Sequence, residues 1–252
     1  MRIYYLYNSG FALITGDIAV VIDYYQDVPS HGKQGLSGGT ITVGELGAYK
    51  HIYVLASHAH PDHFNPVVLG WQKELPGAHY IFSRDIQRQL SASGNAQSIT
   101  FLDKGQSYAD ERIAIKAYGS TDEGISFHLS VDGFSIFHAG DLNCWHWPEE
   151  STRGNIRMAI ADFEREMAPV IREVITPDIA FFPVDPRMVS DYDRGALYFA
   201  QQVRPRLFVP MHFMGSLNAP AAFADKLDLP DVRVWRIQER GEYIDIYKEE
   251  TL

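Results

Sequence analysis

The stretch YVLASHAHPDHFNP, residues 53–66, places four ligand-type side chains directly at the end of an apolar run. They are His58, His60, Asp62 and His63. Alternate residues of an extended segment point to the same side, so His58 and His60 are placed to bind one metal together. Imidazole nitrogen and carboxylate oxygen suit zinc, iron or manganese. The alternative is a solvent-exposed loop with incidental histidines, but four such residues in six positions favour a metal site.

Pro61 lies inside this motif and favours helix initiation at the next residue. A helix starting there would direct Asp62 and His63 toward a position adjacent to the first ion. One short segment is thus expected to supply ligands to two neighbouring metals.

Length and composition are those of an ordinary globular protein. The chain has 252 residues, of which 46% are apolar and 21% charged, and we predict a single domain over residues 1–252. The net charge of -10, without a basic run, argues against nucleic-acid binding. The single cysteine, Cys144, excludes an intrachain disulfide. The sequence shows no signal peptide and no apolar run of about 20 residues, so we expect a cytoplasmic protein that is not bound to a membrane. The sequence pattern does not indicate an oligomeric state.

The order of predicted elements is strands followed by helices, twice over. Short apolar and β-branched runs fill the first third, and Asp132-Gly133 predicts a hairpin turn. Helices are expected near 66–74, 84–91, 155–174, 191–203 and 220–227. Pro169 predicts a kink or an early end of the third. This order indicates an α/β fold of two halves packed sheet to sheet, with helices outside.

HAHPDH (58–63) resembles the H-x-H-x-D-H signature of the metallo-β-lactamase-fold hydrolases. The resemblance implies a four-layer αββα sandwich with a metal site at one edge. SIFHAGDLN (135–143) resembles the strand–Gly–Asp element of that family, so Asp141 matches the aspartate that bridges two metals. LFVPMHFMG (207–215) resembles the final strand, and His212 matches a ligand of the second metal. Asp23 matches an aspartate that supports the site from an opening strand.

One family element departs from the pattern. A further histidine ligand is expected before the bridging aspartate, near Tyr118 to Ser120, where the chain reads KAYGSTDEGISFHL (116–129) and has none there. Asp122, His128 or a water could take its place. Asp122 lies in a turn-like STDEG, where a carboxylate often bonds its own backbone, and we favour that structural role. His128 is read as a strand histidine with apolar neighbours.

The resemblance implies a metal-dependent hydrolase in which activated water attacks a small ester, lactone or phosphodiester. The implied metal ligands are His58, His60, Asp62, His63, Asp141 and His212. Asp62 is also the candidate catalytic residue, as ligand or proton acceptor. The implied cofactor is one or two divalent ions, zinc first, with manganese or iron as options.

A looser likeness to the L-ascorbate-6-phosphate lactonase branch implies a small, phosphorylated or otherwise anionic substrate. Arg187 is a candidate anion ligand, although a surface arginine is the commoner outcome. The tryptophans flanking His146 are read as a substrate pocket wall or as a loop packed on the core. The competing functions are a mononuclear-iron oxidoreductase of the same fold and a non-catalytic metal-binding relative. The negative net charge of the chain disfavours a nuclease.

Overall fold

The computed structural model describes residues 1–90 and 99–248. Internal contacts divide the chain into two compact units, Met1–Leu102 with Gln238–Leu252, and Asp103–Ile237. Each unit contains a seven-stranded sheet built from its own strands. The predicted α/β class with two sheets is confirmed, while the single domain over 1–252 stays a prediction.

The first unit begins as an antiparallel meander and continues as a parallel sheet. Its strands are β1 (Arg2–Tyr7), β2 (Gly10–Thr15), β3 (Ile18–Ile22), β4 (His51–Ala56), β5 (His79–Ser83), β6 (Ile99–Leu102) and β14 (Tyr243–Asp245), in the order β14-β1-β2-β3-β4-β5-β6. Helices α1 (Val43–Leu46) and α2 (Arg84–Leu90) and 3₁₀ turns at Leu36–Gly38 and Pro66–Lys73 connect them. The core cluster of this unit includes Leu6, Val54 and Phe82.

The parallel pair β3–β4 determines where the first ligands lie. Ile22 pairs with Leu55, and the backbone N–H of Asp23 donates to Leu55 O at 3.0 Å. The carboxyl ends of parallel strands meet at the same edge of a sheet. Asp23, which follows β3, therefore lies beside the start of the histidine motif that follows β4.

The second unit has the same strand count and a comparable change from antiparallel to parallel pairing. Its strands are β7 (Ser107–Ala109), β8 (Ile113–Tyr118), β9 (Ser126–Val131), β10 (Phe134–His138), β11 (Ile179–Pro183), β12 (Leu207–Met211) and β13 (Arg233–Val234), in the order β13-β12-β11-β10-β9-β8-β7. Its helices are α3 (Arg153–Glu173), α4 (Arg194–Val203) and α5 (Ala219–Lys226), with a 3₁₀ turn at Pro186–Met188. Phe199 of α4 packs on the sheet by stacking on Phe137 and Phe182.

Two local features of the second unit test the sequence predictions. Asp132 and Gly133 have φ of 49° and 75°, the left-handed pair of a type I′ hairpin turn, and join β9 to β10 as predicted. Helix α3 runs through Pro169 to Glu173, so the predicted early end is wrong. The buried residues Met167 and Val170 flank the proline and hold the helix against the core, which outweighs the loss of one backbone hydrogen bond.

Other differences from the predicted elements concern two strands and two helices. Strands β5 and β7 were not expected, and the helix expected near 66–74 is a 3₁₀ helix. The helix expected over 84–91 is observed to Leu90, and Ser91 lies outside the described residues. Within residues 1–90 and 99–248, none of the helices combines the length and apolar character that crossing a bilayer requires.

Candidate metal centre

Four of the six predicted ligands lie in the first unit, immediately after β4. His58 and His60 follow the strand end, and the N–H groups of His63 and Phe64 both donate to His60 O at 3.0 Å. The chain thus closes a single turn around Pro61. The prediction of an α-helix that begins just after Pro61 is wrong. The chain makes only this one turn, and Asn65 caps a separate 3₁₀ helix that starts at Pro66. Asp62 and His63 nevertheless project from a helix-like turn.

His58 and His60 direct ring nitrogens at each other. The distance from His58 Nε2 to His60 Nδ1 is 3.0 Å, and the rings meet edge-on with centroids 4.6 Å apart. Two nitrogens bound to one tetrahedral zinc lie about 3.3 Å apart, given Zn–N distances of about 2.0–2.1 Å. The spacing of this pair therefore fits two ligands of one ion.

A buried hydrogen-bond network orients the histidines of this unit. Asp23 Oδ1 accepts the backbone N–H of Ser57 at 2.7 Å, and Oδ2 accepts the Ser57 hydroxyl at 2.7 Å. Asp23 Oδ2 also lies 2.8 Å from His63 Nδ1, and Ser57 Oγ lies 3.0 Å from His58 Nδ1. These contacts fix the protons on the two Nδ1 atoms, which leaves both Nε2 atoms unprotonated and able to bind a metal.

The backbone at Asp23 is strained to make this network. Its φ is 49°, in the left-handed region that residues other than glycine seldom adopt. The side chain is fully buried. Strain of this kind persists where the surroundings over-determine a conformation, and it concentrates at functional sites.

Asp62, the carboxylate of the motif, is partly accessible to solvent. Its side chain is 25% exposed, and Asn8 Nδ2 donates to Oδ2 at 3.1 Å. The same oxygen lies 3.7 Å from His63 Nε2. Asp62 and His63 thus present their donor atoms side by side.

The other two predicted ligands lie in the second unit and meet each other. Asp141 follows β10, and His212 follows β12 with a φ of 60°. His212 Nε2 lies 3.4 Å from Asp141 Oδ1, again close to the spacing of two donors on one ion. Both side chains are almost completely buried.

Asp185, which follows β11, orients His212. Its Oδ2 lies 3.1 Å from His212 Nδ1, so Nε2 is again the nitrogen directed away from the supporting carboxylate. Arg187 closes the cluster, donating from Nη2 to Asp185 Oδ2 at 2.6 Å. Burial raises the pKa of the Asp185 carboxyl, but hydrogen bonds from His212 and Arg187 outweigh burial and hold the pKa below its ordinary value. Asp185 therefore stays ionised.

Trp145 contacts both predicted ligands of the second unit. Its indole N–H donates to the backbone oxygen of Asp141 at 2.8 Å, and its ring lies 5.4 Å from the imidazole of His212. It also stacks on Trp147. His146 between them is buried and bonds Cys144 O, so it faces the protein interior.

Two further histidines and the cysteine that the sequence singled out take structural positions. His138 is buried, with Nδ1 accepting from Gly140 N at 3.2 Å, and His128 lies 2.8 Å from Ser135 Oγ on the neighbouring strand. Cys144 is buried, and burial raises the pKa of its thiol to about 11. Arg187 is half-exposed and anchored on Asp185.

Sequence reasoning missed Ser57 and Asp185. Both stand at the carboxyl end of a parallel strand, in VLAS and FFPVD, which is the edge where ligand-binding residues of such sheets collect. A polar residue after each buried strand is therefore the signal that would have identified them.

The donor set of each unit fits a divalent metal. The first unit offers imidazoles and a carboxylate, and the second offers an imidazole and a carboxylate. Nδ1 of His58, His63 and His212 each contacts a supporting oxygen. The metal-ligand roles of the six residues and the catalytic role of Asp62 stay predictions.

Comparisons with known proteins identify the family. A profile of the "Beta-lactamase superfamily domain" matches residues 2–156, more than half of the chain. A UPF0173 protein of Pyrococcus abyssi is 21% identical over 239 residues, which cover 93% of both chains. Among solved structures, Igni18, a metallo hydrolase from the archaeon Ignicoccus hospitalis, matches with a TM-score of 0.69 at 20% identity, covering 98% of this chain and 99% of that one.

A second structural neighbour has a different chemistry. CmlA of Streptomyces venezuelae, a diiron β-hydroxylase, matches with a TM-score of 0.65 at 10% identity, over 97% of this chain and 54% of its own. YhfI of Bacillus subtilis, a metallo-β-lactamase fold protein, matches with a TM-score of 0.62 at 12% identity, over 96% and 98%. At these identities the neighbours share the fold alone. With the profile match, they show that this chain belongs to the β-lactamase superfamily and has the metallo-β-lactamase fold.

Proposed function

We propose that the protein is a hydrolase that uses metal-activated water on a small ester, lactone or phosphodiester. The observation that carries the proposal is the pairing of His63 and His212 with buried carboxylates. Asp23 and Asp185 each hold the Nδ1 side of one imidazole, in the carboxylate–histidine arrangement that supports metal ligands.

The proposed ligands are His58, His60, Asp62, His63, Asp141 and His212. Their nitrogen and oxygen donors suit one or two divalent ions, with zinc as the first candidate. When bound, such an ion lowers the pKa of its water to about 7 and polarises the substrate oxygen.

Asp62 is proposed as the proton acceptor of the reaction. The hydrogen bond from Asn8 Nδ2 fixes one edge of the carboxylate, while a quarter of its side-chain surface contacts solvent. A carboxylate held this way can take up a proton at an Oδ atom and release it to water. Asp23 and Asp185, being buried behind the histidines, are proposed to orient them rather than to exchange protons.

Two features of the second unit support a small substrate with an anionic group. A pocket of about 230 Å³ is lined by Thr121, Trp145, Asn155, Met158, Ala159 and Asp162. This volume lies below the usual range for drug-sized ligands, so it suits a short substituent. The guanidinium of Arg187 is half-exposed and lies 3.4 Å from His212 Nδ1. In a chain of net charge -10, it is a positively charged group suited to binding an anionic part of the substrate.

Metal analysis combined with a substrate panel tests this function. Protein purified without added metal is expected to contain a divalent metal and to hydrolyse at least one member of a panel of lactones, phosphodiesters and thioesters. His58→Ala and Asp141→Ala are expected to lose most of the metal and the activity. His79→Ala, which removes a ring stacked on Tyr53 in β4, is the matched control and should retain both.

Two outcomes would overturn the proposal. Iron accompanied by oxygen uptake would make the protein an oxidoreductase, the mononuclear-iron alternative. A protein that retains no divalent metal would be a non-catalytic relative.

A further inference from the structure

The segment where the family histidine is missing is filled by residues with other structural roles. The Tyr118 hydroxyl donates to Glu173 Oε2 at 3.1 Å, which ties it to α3. A Cβ on Gly119 would lie 2.0 Å from Glu166 Oε2, and Lys104 Nζ holds that carboxylate at 2.6 Å. A histidine at position 119 would therefore displace the Glu166 carboxylate from its ion pair with Lys104. Ser120 Oγ accepts the N–H of Asp122 at 3.2 Å.

The next residue, Thr121, ties this segment to the loop that carries Asp141. Its Oγ1 accepts the N–H of Asn143 at 2.9 Å and lies 2.5 Å from Asn143 O and 3.3 Å from Asp141 O. Thr121 therefore fixes the neighbouring side chain, Asp122, relative to the predicted bridging aspartate.

The consequence is a second carboxylate beside Asp141. Asp122 and Asp141 each present an oxygen, and the two atoms lie within 4.8 Å of one another. Asp141 is buried and Asp122 is exposed, so the pair has one face toward the protein and one toward solvent. His128, the other substitute considered, lies on β9 and pairs with Ser135 Oγ.

We propose that Asp122 is an additional metal ligand that takes the place of the missing histidine, and that it shifts the preference of the site from zinc toward manganese or iron(II). The proposal rests on the hydrolase proposed above. It replaces the structural role favoured for Asp122 from the sequence. Carboxylate oxygen is a harder donor than imidazole nitrogen, and oxygen-rich sites suit manganese better than nitrogen-rich sites do.

The exposure of Asp122 is compatible with this role. A catalytic metal keeps an open position for water or substrate, so at least one ligand lies near the solvent side. The tether through Thr121 limits the conformational entropy that an exposed loop ligand would lose on binding.

Metal titration of the stripped protein tests the assignment without relying on activity. Calorimetric affinities for Mn²⁺ and Zn²⁺ are compared in the wild type, Asp122→Asn, Asp122→Ala and Asp122→His. Glu123→Ala removes the adjacent exposed carboxylate and is the matched control. We expect the Asn and Ala variants to bind Mn²⁺ at least tenfold more weakly, Asp122→His to shift the Zn²⁺/Mn²⁺ affinity ratio at least tenfold toward zinc, and Glu123→Ala to match the wild type.

The same titration on His58→Ala separates the two proposals. Wild-type affinity in His58→Ala would overturn the metal centre and with it the proposed function. Loss of metal in His58→Ala, with wild-type affinity for both ions in Asp122→Ala and Asp122→Asn, would overturn the role of Asp122 alone. An equal loss of affinity for Mn²⁺ and Zn²⁺ in Asp122→Ala and Asp122→Asn would support Asp122 as a ligand and overturn the shift in metal preference.

Discussion

Asp23→Asn is expected to weaken metal binding by changing the tautomer of a neighbouring histidine. The substitution is nearly isosteric, and asparagine tolerates the left-handed φ of 49° that alanine would not. The Ser57 N–H requires an acceptor, so the amide oxygen should remain on that side. The new amide N–H₂ then faces His63 Nδ1, which must become an acceptor. The His63 proton moves to Nε2, the nitrogen assigned to the metal.

The magnitude follows from the contacts of Asp23. The contact with His63 Nδ1 at 2.8 Å is a charge-assisted hydrogen bond between two fully buried side chains. Such bonds contribute about 1.5–3 kcal/mol, which corresponds to about a 10- to 100-fold change in metal affinity at 1.4 kcal/mol per tenfold. Substitution of a carboxylate that supports a metal-bound histidine typically lowers metal affinity by the same factor.

The assay is a metal titration at pH 7.5 against a competing chelator, with the tautomer of His63 read by ¹⁵N NMR. Asp85→Asn is the matched control, because Asp85 accepts the N–H of Ala59 at 2.8 Å in the same unit. An affinity in Asp23→Asn within twofold of the wild type would refute the reasoning. So would an equal loss in Asp85→Asn.

Two further predictions concern the second unit. Trp145→Phe removes the indole hydrogen bond to Asp141 O and should lower the free energy of unfolding by about 0.5–1.5 kcal/mol. Thermal denaturation measures the change, with Trp147→Phe as the control. An unchanged melting temperature in Trp145→Phe would contradict the prediction. The Cys144 thiol, with its pKa raised to about 11 by burial, should remain protonated and unreactive toward a thiol reagent at pH 8 and react fully only after denaturation. Rapid labelling of the native protein would show that the thiol is accessible.

The class of the fold and the donor atoms of the candidate site could be predicted from the sequence, because both depend on local patterns. Alternating and continuous apolar runs indicated the strands, and Asp132-Gly133 indicated its hairpin. The motif of residues 58–63 predicted a metal site because the spacing of donors along an extended chain is set by covalent geometry. The early end predicted from Pro169 is wrong, because the packing of Met167 and Val170 decides the course of α3.

The supporting shell of the site was decided by tertiary structure. Asp185 and His212 are 27 positions apart and meet because β11 and β12 are parallel neighbours, a pairing that the local pattern does not encode. Asp23 reaches His63 across 40 positions for the same reason, through β3 and β4. The sequence by itself thus determined which donor atoms are available. Strand order and register determined which carboxylate supports which histidine, because a hydrogen bond requires a contact of about 3 Å that only the folded chain creates.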